Sequence, residues 1–575
     1  FGSRAVNSIF LFCKLGQRTP FFATTTKMLA LVLACVATSA PFAPRLVAFM
    51  LALAALRAMR LYPRKTIDIG WADLLAAFRF VLFPSSKTRA SVEATIGRLT
   101  SDHAIPCLSA RTGADLIFAS LNLPKGSEVL VVPGITIPSM LEIMRSHGLR
   151  PVGVDLPSHG RLLISDLKPF ITAETRVLVL THLFGTVYDA GSLIREAKEL
   201  GIFVIEDCAQ AFLGASAKPK VGDRWKKGFC GHDEANAVLL SFGLMKTMTA
   251  LGGAVCLVRD QVLRNAVQEM QAAYPTRPTS QFLKVTLKAL LIKMVGNPFL
   301  WGIFAALVSA FGCDFDEVII GNFRGFPNSE SIRQRPSLPL LRLLARRLRN
   351  QNVASFSAAN STVAKRQEVA SVVIQRLSEA GVPVASSDDE TTSWWLVPVL
   401  DEAPSKLARG LSSRGFDASC SSTQLKGMAA AQSEDQSSSQ LVSSESLMQK
   451  VVYLPITPEM PHRAARALAE AVIDVQQRSH TARSAPGQAL DFTPGPVARL
   501  RLGVFVFACW LAAKPTAVLC LFPSVHFVVL TLMTGFVTAF FFILVARWLA
   551  SEPKLQVKGE LLQALAPSAR TEGVA

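Results

Sequence analysis

Short apolar runs alternate with amphipathic stretches from Leu108 to Asp260, and this alternation predicts the elements of an α/β unit. Strands are expected at Glu128–Val132, Pro151–Asp155, Arg176–Thr181 and Phe203–Asp207. Between them lie helices at Pro138–His147, stopped by Gly148, and at Gly191–Leu200, closed by Gly201, with Ser165 placed to cap another. Short strands joined by helical crossovers imply a mostly parallel sheet, whose ligands lie at the carboxyl ends of the strands. Asp207 and the loop that starts at His182 fall at such ends. A smaller α/β unit follows, with strands at Trp394–Leu400 and Val451–Pro455 and helices at Ser405–Arg414 and Pro461–Val475. Ala429–Ser446, rich in Ser, Gln and Glu, is expected as a flexible insertion. The pattern between Gln261 and Arg349 is less regular. There the uncharged run Val295–Gly312 is expected as packed core, with membrane contact the lesser alternative. Ser331–Arg349 has six arginines and no acid, which predicts a solvated amphipathic helix, with binding to anionic lipid as the lesser alternative.

The two ends of the chain have a different texture. Residues 1–67 form a leader in which Asp68 is the first acid to follow; it carries scattered Arg and Lys and apolar runs at Met28–Ala40 and Leu46–Leu56, and fits a targeting sequence or an anchor equally. Thr38-Ser-Ala-Pro-Phe42 resembles the presequence motif of complex algal plastids, so a plastid or another organelle is one expectation. After a linker at 481–500, residues 501–548 predict a transmembrane hairpin. Ser524–Ala546 is long and apolar enough to span a bilayer, while Leu502–Phe522 carries Lys514-Pro515 at its middle, so a single span with an interfacial helix is the alternative. A tail covers 549–575. Half of the residues are hydrophobic, 18% are charged, and the net charge is +18. That surplus suggests a negatively charged partner such as nucleic acid, anionic lipid or a phosphorylated substrate; of these, nucleic acid is not expected. The ten cysteines include no Cys-x-x-Cys pair, so neither a metal site nor a disulfide framework is expected.

The chemistry centres on Ser241-Phe-Gly-Leu-Met-Lys246, held between the apolar runs 237–240 and 254–258. Desolvation lowers a lysine's pKa, and the neutral amine is the nucleophilic form. Asp207 ends a hydrophobic strand and needs a cationic partner if buried, which a protonated pyridine nitrogen supplies. Arg111-Thr112-Gly113 opens a helix whose free amides suit phosphate, and the Ser241 hydroxyl is placed to meet the same group. His182 is expected to line the pocket. Lysine, pyridinium partner and phosphate cradle together are what pyridoxal 5'-phosphate requires.

From about Leu108 to Val475 the chain resembles the DegT/DnrJ/StrS sugar aminotransferases. The resemblance rests on Arg111-Thr-Gly-Ala-Asp-Leu, Pro133-Gly-Ile-Thr-Ile-Pro-Ser139, His182-Leu-Phe-Gly185, Val204-Ile-Glu-Asp-Cys-Ala-Gln210 and Ser241-Phe-x3-Lys246 with Gly252-Gly253. It implies the type I fold of pyridoxal-phosphate transferases, with a large domain at 68–330, linker helices and a small C-terminal domain at 331–480, and a homodimer. By the same resemblance Lys246 holds the cofactor and shuttles a proton, Asp207 keeps the ring nitrogen protonated, and Gln210 contacts the ring-hydroxyl side. Thr112, Gly113 and Ser241 bind its phosphate. The implied reaction moves an amine from glutamate or a similar donor to a keto sugar carried on a nucleotide. A different acceptor, a dehydration, or a non-catalytic membrane scaffold are the alternatives. Three features depart from the family: an aliphatic residue, Ile137, where an aromatic commonly stacks on the cofactor; Arg111 where small residues are common; and no recognisable Gly-Tyr-Asn-Tyr-Arg segment between Ile320 and Ser361, which in the family reaches across the dimer to the neighbouring site. The membrane segments lie outside the family pattern, and deleting the chain after Pro496 is expected to release the protein from membranes in a flotation assay. Persistent membrane association would place the anchor elsewhere.

Overall fold

A computed structural model of the chain describes residues 60–484 apart from 65, 84–85, 158–161, 213–229, 311–329, 353–361, 386–390, 421–422, 429–440 and 443. The predicted leader up to residue 59, the linker from 485, the hairpin at 501–548 and the tail lie outside the described residues.

Seven strands make the central sheet: β1 (Ala104–Cys107), β2 (Glu128–Val132), β3 (Arg150–Gly153), β4 (Thr175–Thr181), β5 (Phe203–Asp207), β6 (Ala237–Ser241) and β7 (Ala254–Val258). They lie in the order β1-β7-β6-β5-β4-β2-β3, and β7 alone runs against its neighbours. The mostly parallel sheet is therefore as expected. Its strands are apolar along their whole length because both faces are covered. Val129, Val131, Ile205 and Leu239 pack beneath helices Ala110–Leu121, Pro138–Ser146 and Gln261–Ala273. Leu130, Val204, Val238 and Leu240 point the other way, into a core completed by Trp71–Leu82, Gly191–Glu199 and Leu338–Asn352. One side chain per face in turn is the period of a strand.

The arginine-rich segment is not a solvated helix. Leu338–Asn352 buries Leu340, Leu341, Leu343, Leu344 and Leu348 against the large-domain core. Three of its arginines meet carboxylates: Arg346 and Arg347 hold Asp73 at 2.7 and 2.8 Å, and Arg333 holds Asp115 at 2.9 Å. Acids near 68–115 in the chain answer a run that has none of its own. The uncharged run also begins as core, since Trp301 and Ala305 are buried beside Leu61. Among the described residues no single helix is long and apolar enough to cross a membrane; only the bent pair Thr279–Val295 and Pro298–Ala305, at 102°, passes that test together.

In the small domain, strands Val397–Leu400 and Val451–Leu454 pair antiparallel, and helices Thr362–Glu379, Pro404–Ser413 and His462–Ser484 cover one face. The other face, with Leu396, Val451 and Tyr453, meets Ile135, Leu183 and Phe184 of the large domain. Three short antiparallel ladders stitch the two together, joining Thr391–Thr392 to Thr186–Val187, Lys426–Gly427 to Ile135–Thr136, and Leu441–Val442 to Leu156–Pro157. The last ladder, with helix Ser444–Lys450, gives order to the end of the expected insertion; its residues 429–440 lie outside the described ones. Ser165 lies inside the short helix Ile164–Leu167, and its N-cap position is Leu163. All three ladders attach to loops at the carboxyl ends of the parallel strands, so the cleft lies between sheet and small domain.

Candidate active site

A cleft of about 540 Å³ opens at those strand ends, a size suited to a small organic ligand. Thr181, Asp207 and Ser241, from three adjacent strands, line its floor. Lys246 reaches it from the loop between β6 and β7. That loop turns back on itself: the Phe242 carbonyl accepts from Ala250 and Gly252 amides at 3.0 and 3.1 Å, and the Phe242 amide donates to Gly253 at 2.9 Å. Met248 and Leu251 take left-handed backbone, with φ of 53° and 64°, which side-chain-bearing residues adopt at a cost. Asp68 holds the first by accepting from the Met248 amide at 3.1 Å, and Thr249 Oγ1 holds the second by accepting from Leu251 at 2.9 Å.

Asp207 and Lys246 face one another's charge within the cleft. Burial pushes the Asp207 carboxyl above its ordinary range, opposed by the Ala209 amide, which donates to Oδ1 at 2.9 Å, and by the Lys246 charge. Burial brings the lysine amine down to about 8, opposed by Asp207 and helped by the nearby Arg111. Trp395, from the small domain, lies with its ring centroid 4.0 Å from Lys246 Nζ and donates from Nε1 to the Met245 carbonyl at 2.9 Å. An aromatic face attracts an ammonium, so the ring positions the amine. Gln210 lines the same cleft, its Oε1 accepting from the Phe184 amide at 2.8 Å, which leaves the amide group as its donor.

Lys246, Asp207, Gln210 and Ser241 are thus brought together, but Thr112, Gly113 and His182 are not among the lining residues. The Thr112 hydroxyl donates to the Ile332 carbonyl at 2.9 Å and lies 3.0 Å from Ser109 Oγ, while Ser109 caps the helix by accepting from the Thr112 amide. Gly113 serves packing: a Cβ there would lie 3.1 Å from Leu239 Cδ2 and 3.3 Å from Cys256 Cβ. Ser109, Ala110 and Arg111 line the cleft in their place.

His182 follows Thr181 and so faces the opposite side of the sheet, with Glu206 rather than Asp207. Its Nε2 lies 2.6 Å from Glu206 Oε1, and its Nδ1 accepts from the Tyr188 amide at 3.1 Å. His232 repeats the arrangement, with Nδ1 2.5 Å from the same oxygen and Nε2 accepting from the Ala190 amide at 3.2 Å, while its own amide donates to Glu206 Oε2 at 2.6 Å. These three residues offer ligand atoms within 4.8 Å of one another, yet every ring nitrogen and both oxygens already have partners. The cluster is a closed network that anchors the strand behind Asp207. Alternation along β4 and β5 is the signal that separates the two pairs. Trp395 gave no such signal, because its place beside Lys246 depends on how the small domain docks.

Aminotransferases are among the solved structures that this fold matches. Over 73% of this chain and all of the other, it superposes on the Helicobacter pylori aminotransferase PseC, involved in pseudoaminic acid biosynthesis, with a TM-score of 0.52 and 14% identity. Over 75% and 99% it superposes on DesI, solved with its TDP-sugar product, with a TM-score of 0.51 and 19% identity. The likeness is one of fold: a large, mostly parallel sheet in an α/β architecture shared with these structures. The DegT/DnrJ/EryC1/StrS aminotransferase family model matches residues 88–287 and 352–473, over half of the chain, and the chain belongs to that family. It is 29% identical over 149 residues to a GDP-perosamine synthase of Escherichia coli O157:H7, covering 26% of this chain and 38% of that protein. It is 28% identical over 203 residues to a UDP-4-amino-4-deoxy-L-arabinose–oxoglutarate aminotransferase of Shewanella sediminis (strain HAW-EB3), covering 35% and 48%. The matches span about half or less of those curated relatives.

The amine at Lys246 sets a pH dependence. Only its neutral form attacks a carbonyl, so uptake of pyridoxal phosphate by the apoprotein should quicken as pH rises, be half-maximal near 8 and level off above it. Stopped-flow absorbance measures this; a rate still climbing toward pH 10 would contradict the placement of Lys246.

Proposed function

We propose that this protein is a pyridoxal-phosphate-dependent aminotransferase that moves an amino group from an amino-acid donor, glutamate in the simplest case, to a keto sugar carried on a nucleotide. The observation that carries the reading is the buried Asp207 carboxylate in one cleft with the depressed Lys246 amine. The residues present fit the cofactor. Asp207 suits a protonated ring nitrogen, the Thr181 hydroxyl beside it is buried with no hydrogen-bond partner among the described residues, and Ser241 with the Ser109–Arg111 turn suits a phosphate. When bound, the cofactor supplies an electron sink for the substrate's α-carbon. Lys246 holds it and then moves the proton, a role its amine pKa near the working pH suits. Asp207 stays ionised only against a cation, so it favours the protonated ring. Trp395 keeps Lys246 in place when the amine is released. The sugar acceptor rests on the kinship to sugar-acting relatives.

Membrane attachment through Ser524–Ala546 and an organellar address in the leader belong to the same proposal and rest on the sequence, while a homodimer rests on the family. The test of function is a panel of nucleotide-linked keto sugars and simple ketones offered with glutamate. Amine transfer to a keto sugar is expected, with Lys246→Ala reducing the rate roughly a hundred- to ten-thousandfold. Transfer confined to non-sugar ketones would remove the sugar from the proposal, and no amine uptake at all would remove the aminotransferase.

A further inference from the structure

The loop that carries Lys246 is gripped on both sides of that residue. Before it, the Met245 carbonyl accepts from Trp395 Nε1 at 2.9 Å. After it, the Met248 amide donates to Asp68 Oδ2 at 3.1 Å, which pins a residue held at positive φ. The Asp68 carboxylate is buried and has further partners. Thr362 Oγ1 donates to Oδ2 at 3.0 Å, and the guanidinium groups of Arg366 and Arg347 lie 3.5 and 3.6 Å from Oδ2 and Oδ1. Burial raises this carboxyl, but the two arginines, the Met248 amide and Thr362 together hold it below its ordinary range, so it stays ionised. Arg347 adds a second grip. Its Nε donates to the Thr249 carbonyl at 3.0 Å, its Nη2 to the Asp68 carbonyl at 2.7 Å and its Nη1 to Asp73 at 2.8 Å. One buried guanidinium thus joins the lysine loop, the segment before helix Trp71–Leu82, and that helix itself. A rigid fork of donors fixes three acceptors in one geometry, which the single ammonium of a lysine does not. Thr362 and Arg366 belong to helix Thr362–Glu379, whose Val369, Val373 and Leu377 pack in the small-domain core. Both sides of the loop are therefore tied to the small domain, by Trp395 and through Asp68. Asp68 and Arg347 lie outside the segments that match the family model.

We propose that Asp68 and Arg347 are positioning residues for Lys246: through Met248 and Thr249 they hold its amine in the cleft beside Asp207, and through Thr362 and Arg366 they tie that placement to the docking of the small domain. They act on the amine through the backbone of the loop. This rests on the reading of Lys246 as the lysine that holds the cofactor, and it assigns the control of that lysine to two residues that the family match does not reach.

The test reads the amine directly. The full chain without cofactor is labelled competitively with acetic anhydride across a pH series, and acetylation of Lys246 is followed by mass spectrometry. The wild-type amine should be half-reactive near 8, a value set by burial, with Asp207 and Arg111 as the charged groups that face it. An amine released from its grip gains solvent, and its midpoint rises toward the ordinary lysine value. Asp68→Asn and Arg347→Gln should each raise the midpoint by roughly half a pH unit or more, which is about threefold less neutral amine at neutral pH. Thr362→Val removes one bond to Asp68 and leaves both arginines in place, and should move the midpoint the same way by less. Arg347→Lys, which keeps the charge and loses the fork, should fall between the wild type and Arg347→Gln. Thermal unfolding of each variant separates positioning from stability, since a merely structural role lowers the melting temperature and leaves the Lys246 midpoint at its wild-type value. An unmoved midpoint in folded Asp68→Asn and Arg347→Gln overturns the proposal. If those two fail to fold, an unmoved midpoint in Thr362→Val overturns it. The labelling needs no cofactor, so failure of the aminotransferase reading shows separately, as no amine uptake from an amino-acid donor by the wild type.

Discussion

A carboxylate and an amine held in one cleft are the constraint around which the molecule is arranged. Each charge is costly there alone, and each is tolerable because of the other. Asp207 is fixed by its strand, by the Ala209 amide, and by the Glu206 network on the opposite face of the sheet. Lys246 is fixed by a loop with two left-handed residues, by Asp68 beneath it, and by the Trp395 ring from the small domain. Neither element sets the geometry by itself. The sheet, the loop and the docking of the small domain all have to be right, which is why the cleft lies where the three short ladders join the two domains.

Much of this was legible in the chain because strands have a strict period. The apolar runs marked the parallel sheet, and the acids ending Phe203–Asp207 marked its functional edge. The same period, applied one step further, separates Thr181 and Asp207 from His182 and Glu206, and so takes His182 out of the cleft. Thr112 and Gly113 were misplaced for another reason. A helix N-terminus in a sequence looks like a phosphate site whether its hydroxyl is available or not, and here Ile332, distant in sequence, takes the Thr112 hydroxyl. The arginine-rich segment misled in the same way, since its partners Asp73 and Asp115 lie more than two hundred residues away. Long-range partners decide what a local pattern means.

The cleft's wall toward helix Thr279–Val295 carries this chain's individuality. The strands, Asp207 and Lys246 fall within the residues that match the family, whereas Ile292, Ser337 and Leu340, which also line the cleft, do not. One part of the pocket is therefore built from residues that match the family, and another from residues that lie outside the match.

The most direct measurement of the central claim is to load the full chain with pyridoxal phosphate, reduce it with borohydride, digest it, and locate the added mass by peptide sequencing in a mass spectrometer. The account predicts a phosphopyridoxyl group on Lys246 and on no other lysine, with labelling lost in Lys246→Ala and much weakened in Asp207→Ala. Label on a different lysine, or none above that of an unfolded control, would contradict it.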